Sequence, residues 1–283
     1  EDIEYVFHLS CYHGNQSSIA NIFDDHQNNT LTSLKLFNRI SDFKSIEKVV
    51  YSAAGCAVAE KTFDSANATD EDASVSLFHD SPYSISKLIG EMYGNYFFQK
   101  NGMPFVKARF QNVYGPREIL GAGKWRGTQH TVWRNVIPTF IFKSLNNEAL
   151  PLDNGGKGTR DFIFVKDIVK GLIQCALIGN PGEAYNLASV KDTSVHELAK
   201  LINSITGNTT PLDLKKPRDW DKSGKRFGST IKSKEFINFE AEVEIDEGLN
   251  KTIEWTKNNL DLIKKTMAKH QNNLKEVKQY LNN

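Results

Sequence analysis

Short apolar runs alternate with longer stretches of helical pattern along this chain, and that alternation restricts the fold more than any other feature. Tyr5-Val6-Phe7-His8-Leu9 reads as a buried strand, Lys48 to Ser52 as a second, Phe105 to Phe110 as a third and Phe162 to Val165 as a fourth. Helical patterns fill the stretches 22–40, 84–100 and 166–178. Strands alternating with helices of this length predict βαβ units around a parallel sheet, an α/β fold. Further helices are expected over 136–145, 195–206 (capped by Thr193 or Ser194) and 246–258. The final ~25 residues, rich in Lys and Asn, read as one more, exposed helix. Residues 60–80 and the glycine-rich stretch 115–127 read as loops, and residues 208–235 carry no assignable pattern.

Charge and cysteine content narrow the function. The 35 basic and 34 acidic side chains nearly cancel. No single-sign field is available to gather nucleic acid or an anionic membrane, so any anion site must be local. No apolar run approaches the ~20 residues that span a bilayer. Cys11, Cys56 and Cys175 are odd in number and widely spaced, with no CxxC pair and no Cys/His cluster of zinc spacing. Neither a disulfide framework nor a metal site is expected, and a reducing, cytoplasmic setting fits. The chain opens on Glu1 rather than Met, which reads as a fragment.

The chemistry concentrates at Tyr83-Ser84-Ile85-Ser86-Lys87. Four residues apart on a helix, a phenol and an ammonium share one face. The positive charge lowers the phenol pKa, and a phenol tuned in this way exchanges a proton with a sugar hydroxyl while hydride moves to a nicotinamide. The spacing is common by chance and describes a solvated helical face equally well. Its setting is more specific, one loop after the strand ending Val50-Tyr51-Ser52 and just before the strand leading into Asn112-Val113-Tyr114-Gly115-Pro116.

With the segments VFHLS, NNTLTSLKLF, SPYSISKLIGE, RFQNVYGP, NVIPTFI, TRDFIFVKDIVKGL, AYNLAS and EGLNKTIEW in this order, the chain resembles the extended short-chain dehydrogenase/reductases, in particular the NAD-dependent epimerase/dehydratase family, from about residue 3 to about residue 258. The resemblance implies a Rossmann-type doubly wound parallel sheet lacking its first strands, over 1–112. It also implies a smaller C-terminal α/β region, 113–283, that binds a nucleotide-diphosphate sugar, with some later strands, such as those in 160–190, returning to the sheet. Tyr83 would be the catalytic acid or base, and Lys87 would hold the nicotinamide ribose and tune it. Leu9 and Ser10 would line the cofactor, with Asn29 near the nicotinamide. Asn112, Asn135, Arg160 and Arg218 would contact the substrate, the arginines through its diphosphate, which suits guanidinium geometry. NAD is the implied cofactor, NADP its alternative, and a homodimer the implied assembly.

Three departures shape the reaction. No Gly-rich GxxGxxG turn opens the chain, and VFHLS resembles the family's fourth strand. The GxG of Gly121-Ala122-Gly123 lies far downstream. The Ser or Thr that bonds the reacting sugar oxygen in the family is Ala54 here. Ser52, two residues earlier and displaced by about 7 Å, is the nearest hydroxyl. The Asp-Glu pair of the 4,6-dehydratases is replaced by Gly55 and Cys56, which disfavours dehydration. A cysteine at this place resembles the GDP-mannose 3,5-epimerases and GDP-fucose synthases, and Gly123-Lys124-Trp125-Arg126-Gly127 resembles the lysine loop of the former. Cys56 and Lys124 would then move protons on opposite sugar faces, although a buried cysteine also serves as core filler. Asn135 stands where the fucose synthases carry an acidic histidine. The leading expectation is a nucleotide-sugar epimerase. A nucleotide-sugar reductase or dehydrogenase, and a non-catalytic remnant that binds nucleotide-sugar, are the alternatives.

Overall fold

The computed structural model describes residues 2–58, 64–219 and 224–281, without the Cys56 side chain. Its elements are β1 (Tyr5–His8), α1 (Asn15–Ala20), α2 (Ile22–Asp25), α3 (Thr32–Ile40), β2 (Lys48–Ala54), α4 (Pro82–Asn101), β3 (Phe105–Phe110), β4 (Asn112–Tyr114), α5 (Val136–Leu145), β5 (Pro151–Leu152), β6 (Thr159–Arg160), β7 (Phe162–Phe164), α6 (Val165–Ile178), β8 (Ala184–Leu187), β9 (Thr193–Ser194), α7 (Val195–Thr206), β10 (Asp213–Leu214), α8 (Ile231–Ile237), α9 (Ile245–Asn258) and α10 (Leu260–Ala268).

A parallel sheet ordered β1-β2-β3-β8 organises the first half. Helices cover both faces, the doubly wound arrangement. On one face Phe37 of α3 and Phe97 of α4 pack on Val49, Tyr51 and Phe105. On the other, Ile168, Leu172 and Cys175 of α6 cover Val50, Val106 and Tyr185. The α4 helix lies close to the sheet because it carries glycine where it crosses: a Cβ at Gly94 would come within 2.0 Å of the Phe105 ring, and one at Gly90 within 2.2 Å of the Tyr51 hydroxyl. Ser81 caps this helix, Pro82 occupies its first turn and Gly102, at φ 70°, ends it.

A second core joins α5, α7 and α9 to Tyr114, Phe162 and Phe164. Ser194 and Glu197 form a capping box at the start of α7, which assigns the predicted cap to Ser194. Between residues 208 and 235 lie β10 and the start of α8.

Three local expectations are corrected. The first strand is not buried: β1 is the sheet edge, and Tyr5 and Phe7 are 36% and 41% exposed on it. The 22–40 stretch is not one α-helix. It passes from α2 through a π-helical turn, His26–Leu31, into α3, and the extra residue in that turn carries the Asn29 side chain back to the loop after β1. The C-terminal stretch is not one exposed helix. After α10 it forms a 3₁₀ segment, Lys275–Tyr280, whose Val277 and Tyr280 are buried with Met267, Phe142 and Val132.

Candidate active site

The carboxyl ends of β1 and β2 and the first turns of α4 meet at one point. Tyr83 and Lys87 sit one turn apart on α4, and the Tyr83 backbone N–H donates to Ser18 Oγ of α1 at 3.1 Å. Lys87 is 3% exposed. Its Nζ donates to the Ser52 carbonyl at 2.7 Å and to Ser52 Oγ at 3.3 Å. The same ammonium lies 5.1 Å from the Tyr51 ring centroid and 6.0 Å from that of Tyr83.

Ser52 cannot stand in for the missing hydroxyl. Its Oγ donates its one proton to the His8 carbonyl at 2.9 Å while accepting from Lys87. Ala54, two residues on, is buried at the end of β2. Beneath this point His8 is held neutral. Burial first, and Lys87 second, lower its pKa to about 4, and its Nε2 lies 2.9 Å from Ser33 Oγ.

Asn29 works as a clamp. Its Oδ1 accepts from the Tyr12 N–H at 2.6 Å, and its Nδ2 reaches the Tyr12 carbonyl, Asp25 Oδ1 and Ser86 Oγ. Those contacts fix the loop that follows β1, where Leu9 and Ser10 are exposed. The loop then lays His13 edge-on against Tyr83, with ring centroids 5.7 Å apart and an interplanar angle of 83°.

Sequence reasoning missed His13 and the wall behind it. His13 Nε2 lies 3.1 Å from Asn135 Oδ1, and Asn135 Nδ2 donates to Glu118 Oε1. Asn135 stands at the N-cap of α5 but makes no capping bond, so its amide is given to this chain. Arg126 Nη1 donates to the His13 carbonyl at 2.8 Å, and its guanidinium lies 4.2 Å over the Tyr12 ring centroid. Arg134 donates to the Ala122 carbonyl at 2.9 Å. Burial, and then the Arg126 charge, push Arg134 down from its ordinary value, whereas burial pushes the Glu118 carboxyl up. Arginine spacing in Lys124-Trp125-Arg126 and Trp133-Arg134-Asn135 was the available signal, but only the folded loops bring these groups to His13.

The other expected residues lie as follows. Lys124 is exposed beside Gly123, on the loop that supplies Arg126. Asn112 is exposed on β4, with its backbone N–H on the Asp161 carbonyl. Arg160 Nη1 donates to the Thr159 and Gly224 carbonyls at 2.6 and 2.9 Å. Arg218 pairs with Asp153. Cys56 follows β2 in the 3₁₀ turn Gly55–Ala57, and its side chain lies outside the described residues. Among the described residues no cluster of His, Cys, Asp and Glu could hold a metal ion, and no helix is long and apolar enough to cross a membrane.

A parallel sheet with a Tyr–Lys pair at its carboxyl edge defines the extended short-chain dehydrogenase/reductase architecture. The chain belongs to the NAD dependent epimerase/dehydratase family, whose model matches residues 1–188. It is similar to the Bordetella bronchiseptica enzyme WbmF, solved in complex with NAD+ and UDP: identity is 54%, the TM-score 0.85, and the match covers 98% of this chain and 78% of that one. A UDP-glucose 4-epimerase from Thermotoga maritima, solved with UDP-glucose, is 28% identical at a TM-score of 0.80, covering 91% of this chain and 78% of that one. A putative UDP-glucose 4-epimerase of Methanocaldococcus jannaschii is 28% identical over 259 residues, 92% of this chain and 79% of the relative.

Proposed function

We propose that this protein is a UDP-sugar epimerase that oxidises a sugar hydroxyl transiently, at C4 in the simplest case, and reduces the resulting ketone from the opposite face. The observation that carries the reading is the buried Lys87 ammonium placed between Ser52 and the Tyr83 ring at the carboxyl edge of the sheet. WbmF, solved with NAD+ and with UDP, and the UDP-glucose epimerases support NAD as cofactor and a UDP-sugar as substrate.

The residues present fit the nicotinamide-ribose end of such a cofactor. Lys87 supplies a buried cation, and exposed Leu9 and Ser10 end β1 beside it. Among the described residues no sheet strand leads through a glycine-rich turn into a helix, so the chain's own part is the redox and sugar end of the cleft. Bound there, NAD would accept a hydride from the sugar carbon and later return it. Tyr83, biased toward phenolate by Lys87, takes the hydroxyl proton as the carbonyl forms and gives it back when the alcohol is restored. Because both half-reactions use one proton-carrying group, the keto sugar must turn within the cleft to present its other face.

A 3,5-type reaction would add Cys56 and Lys124. The position of Cys56, immediately after β2, and of Lys124, on the loop carrying Arg126, supports that reading. Cys56→Ala would then stop solvent deuterium from entering beside the ketone while leaving hydride exchange intact. Arg160 and Arg218 are proposed for the diphosphate, which requires Arg218 to leave Asp153. Ile85, Met92 and Tyr96, exposed on one side of α4, support a homodimer, and the free thiols Cys11 and Cys175 support a cytoplasmic setting.

The test is direct. Protein expressed from its complete reading frame is denatured and its released NAD measured, then UDP-glucose turnover is followed by proton NMR. Tyr83→Phe should retain NAD and lose about 10²- to 10⁴-fold in kcat. Undiminished turnover in Tyr83→Phe would end the proposal, as would failure of the wild-type protein to convert any UDP-hexose.

A further inference from the structure

Ala54 leaves the cleft without the hydroxyl expected at the end of β2, and Ser52 is committed to His8 and Lys87. On the other side of Tyr83 the loop after β1 offers an imidazole. We propose that His13 is a second sugar-contacting residue of this site, its Nδ1 accepting a hydrogen bond from the hydroxyl next to the one that Tyr83 deprotonates. The inference rests on the epimerase reading and adds a specificity rule to it: the substrate must carry a hydrogen-bond donor beside the reacting carbon.

Placement of His13 is over-determined. Asn29 holds both backbone groups of Tyr12, Arg126 holds the His13 carbonyl, and Gly14, at φ 108°, turns the chain immediately afterwards. The ring therefore stays edge-on to Tyr83. Its hydrogen bonds select the tautomer. Asn135 gives its amide nitrogen to the Glu118 carboxylate, which leaves its acceptor-only oxygen for His13. Nε2 must then carry the proton and Nδ1 the lone pair. Nδ1 has no hydrogen-bond partner among the described residues. Burial, reinforced by Arg134, Lys87 and Arg126 against the opposing Asn135 bond, keeps the imidazole below its ordinary pKa. A neutral ring with one bare nitrogen accepts a hydroxyl proton in a hydrogen bond without removing it, so the neighbouring hydroxyl is oriented and not oxidised. The reacting hydroxyl gives its only proton to Tyr83 and cannot serve His13 at the same time.

The test is a cycle of enzyme and substrate changes. NAD-bearing protein from the complete reading frame is assayed with UDP-glucose and with its 3-deoxy analogue. His13→Phe keeps a ring against Tyr83 but no acceptor, and His13→Asn restores a carboxamide oxygen. With UDP-glucose, His13→Phe should lower kcat/KM about 10- to 100-fold, with partial rescue in His13→Asn. With the 3-deoxy sugar, wild type and His13→Phe should match. Equal losses on both sugars, or no loss on either, would overturn the role of His13. A wild-type protein that carries NAD but converts no UDP-hexose ends the epimerase reading alone. The nitrogen-15 shift of His13 Nδ1 on adding UDP-glucose then decides the contact: it moves if the bond forms, and an unmoved shift refutes it.

Discussion

Gly94→Ala should disable the site from some distance. The new Cβ would stand 2.0, 2.1 and 2.5 Å from three atoms of the Phe105 ring, where ordinary contact begins at 3.4 Å. Phe105 is fully buried against Phe37 and Tyr51, with ring centroids 5.3 and 6.0 Å away, so it has little room to retreat. The helix must therefore lift by about 1.4 Å or the ring leave its rotamer, a strain of about 1–3 kcal/mol. That strain outweighs the ~0.5–1 kcal/mol that alanine normally adds to a helix interior. Lys87 lies two turns away on the same helix, and its 2.7 Å bond to the Ser52 carbonyl would stretch beyond hydrogen-bonding range. Displacements near 1 Å at a reacting group cost about 10²-fold in rate. Urea denaturation and UDP-glucose turnover read the two effects separately. Phe105→Leu alone should cost about 1–2 kcal/mol, but added to Gly94→Ala it should restore both stability and rate. If Gly94→Ala is as stable as the wild type with unchanged kcat, or if Phe105→Leu gives no rescue, the close approach of α4 does not position the pair.

Two further outcomes follow from buried charge. With its folded pKa near 4 against an ordinary 6.5, His8 stays neutral where the unfolded chain takes up a proton. Stability should fall by about 3 kcal/mol as pH drops from 6.5 to 4, and urea midpoints of His8→Gln should lack that part of the slope; identical slopes would refute it. Glu91 accepts from Arg109 Nε at 3.0 Å and Nη2 at 2.8 Å, both side chains buried. Glu91→Ala should destabilise by about 3–5 kcal/mol, and the Glu91→Met, Arg109→Met pair by much less, because the cost is that of an unpaired buried guanidinium. Thermal melts of the two variants beside the wild type give the comparison, and equal losses in the single and double variants would contradict it.

Local pattern revealed the sheet more readily than its boundary. β2 and β3 carry Val49, Tyr51 and Phe105 under α3 and α4, and Val50, Val106 and Ala108 under α6. The Tyr5–His8 run looks the same in sequence, and among the described residues it pairs with β2 on one side only. The π turn is invisible for a related reason. His26–Leu31 is ordinary helical sequence, and the departure is tied to the bonds between Asn29 and Tyr12, 17 residues earlier. At the C-terminus, Lys and Asn content masked Met267 of α10 and Val277 and Tyr280 of the 3₁₀ segment, which share one core.

The same division runs through the site. Tyr83 and Lys87 were legible because one helix fixes their relation, four residues being one turn. His13, Glu118, Arg126 and Arg134 come from separate loops, and His13 meets Asn135 across 122 residues, so no local spacing encodes them. Yet these loops set the electrical balance around the phenol. Lys87, Arg126 and Arg134 are basic, burial lowers the pKa of His8 and of His13, and burial raises that of Glu118. The Asp25 carboxyl, on which the Lys87 charge acts, belongs to the same surroundings, so both signs of charge meet beside Lys87. Arg126 and Arg134 bind the His13 and Ala122 carbonyls and so brace the loops behind His13, whereas Lys87 lies against the Tyr83 ring itself. Bulk charge could not have disclosed this arrangement, because it arises from folding separate loops against one buried ring.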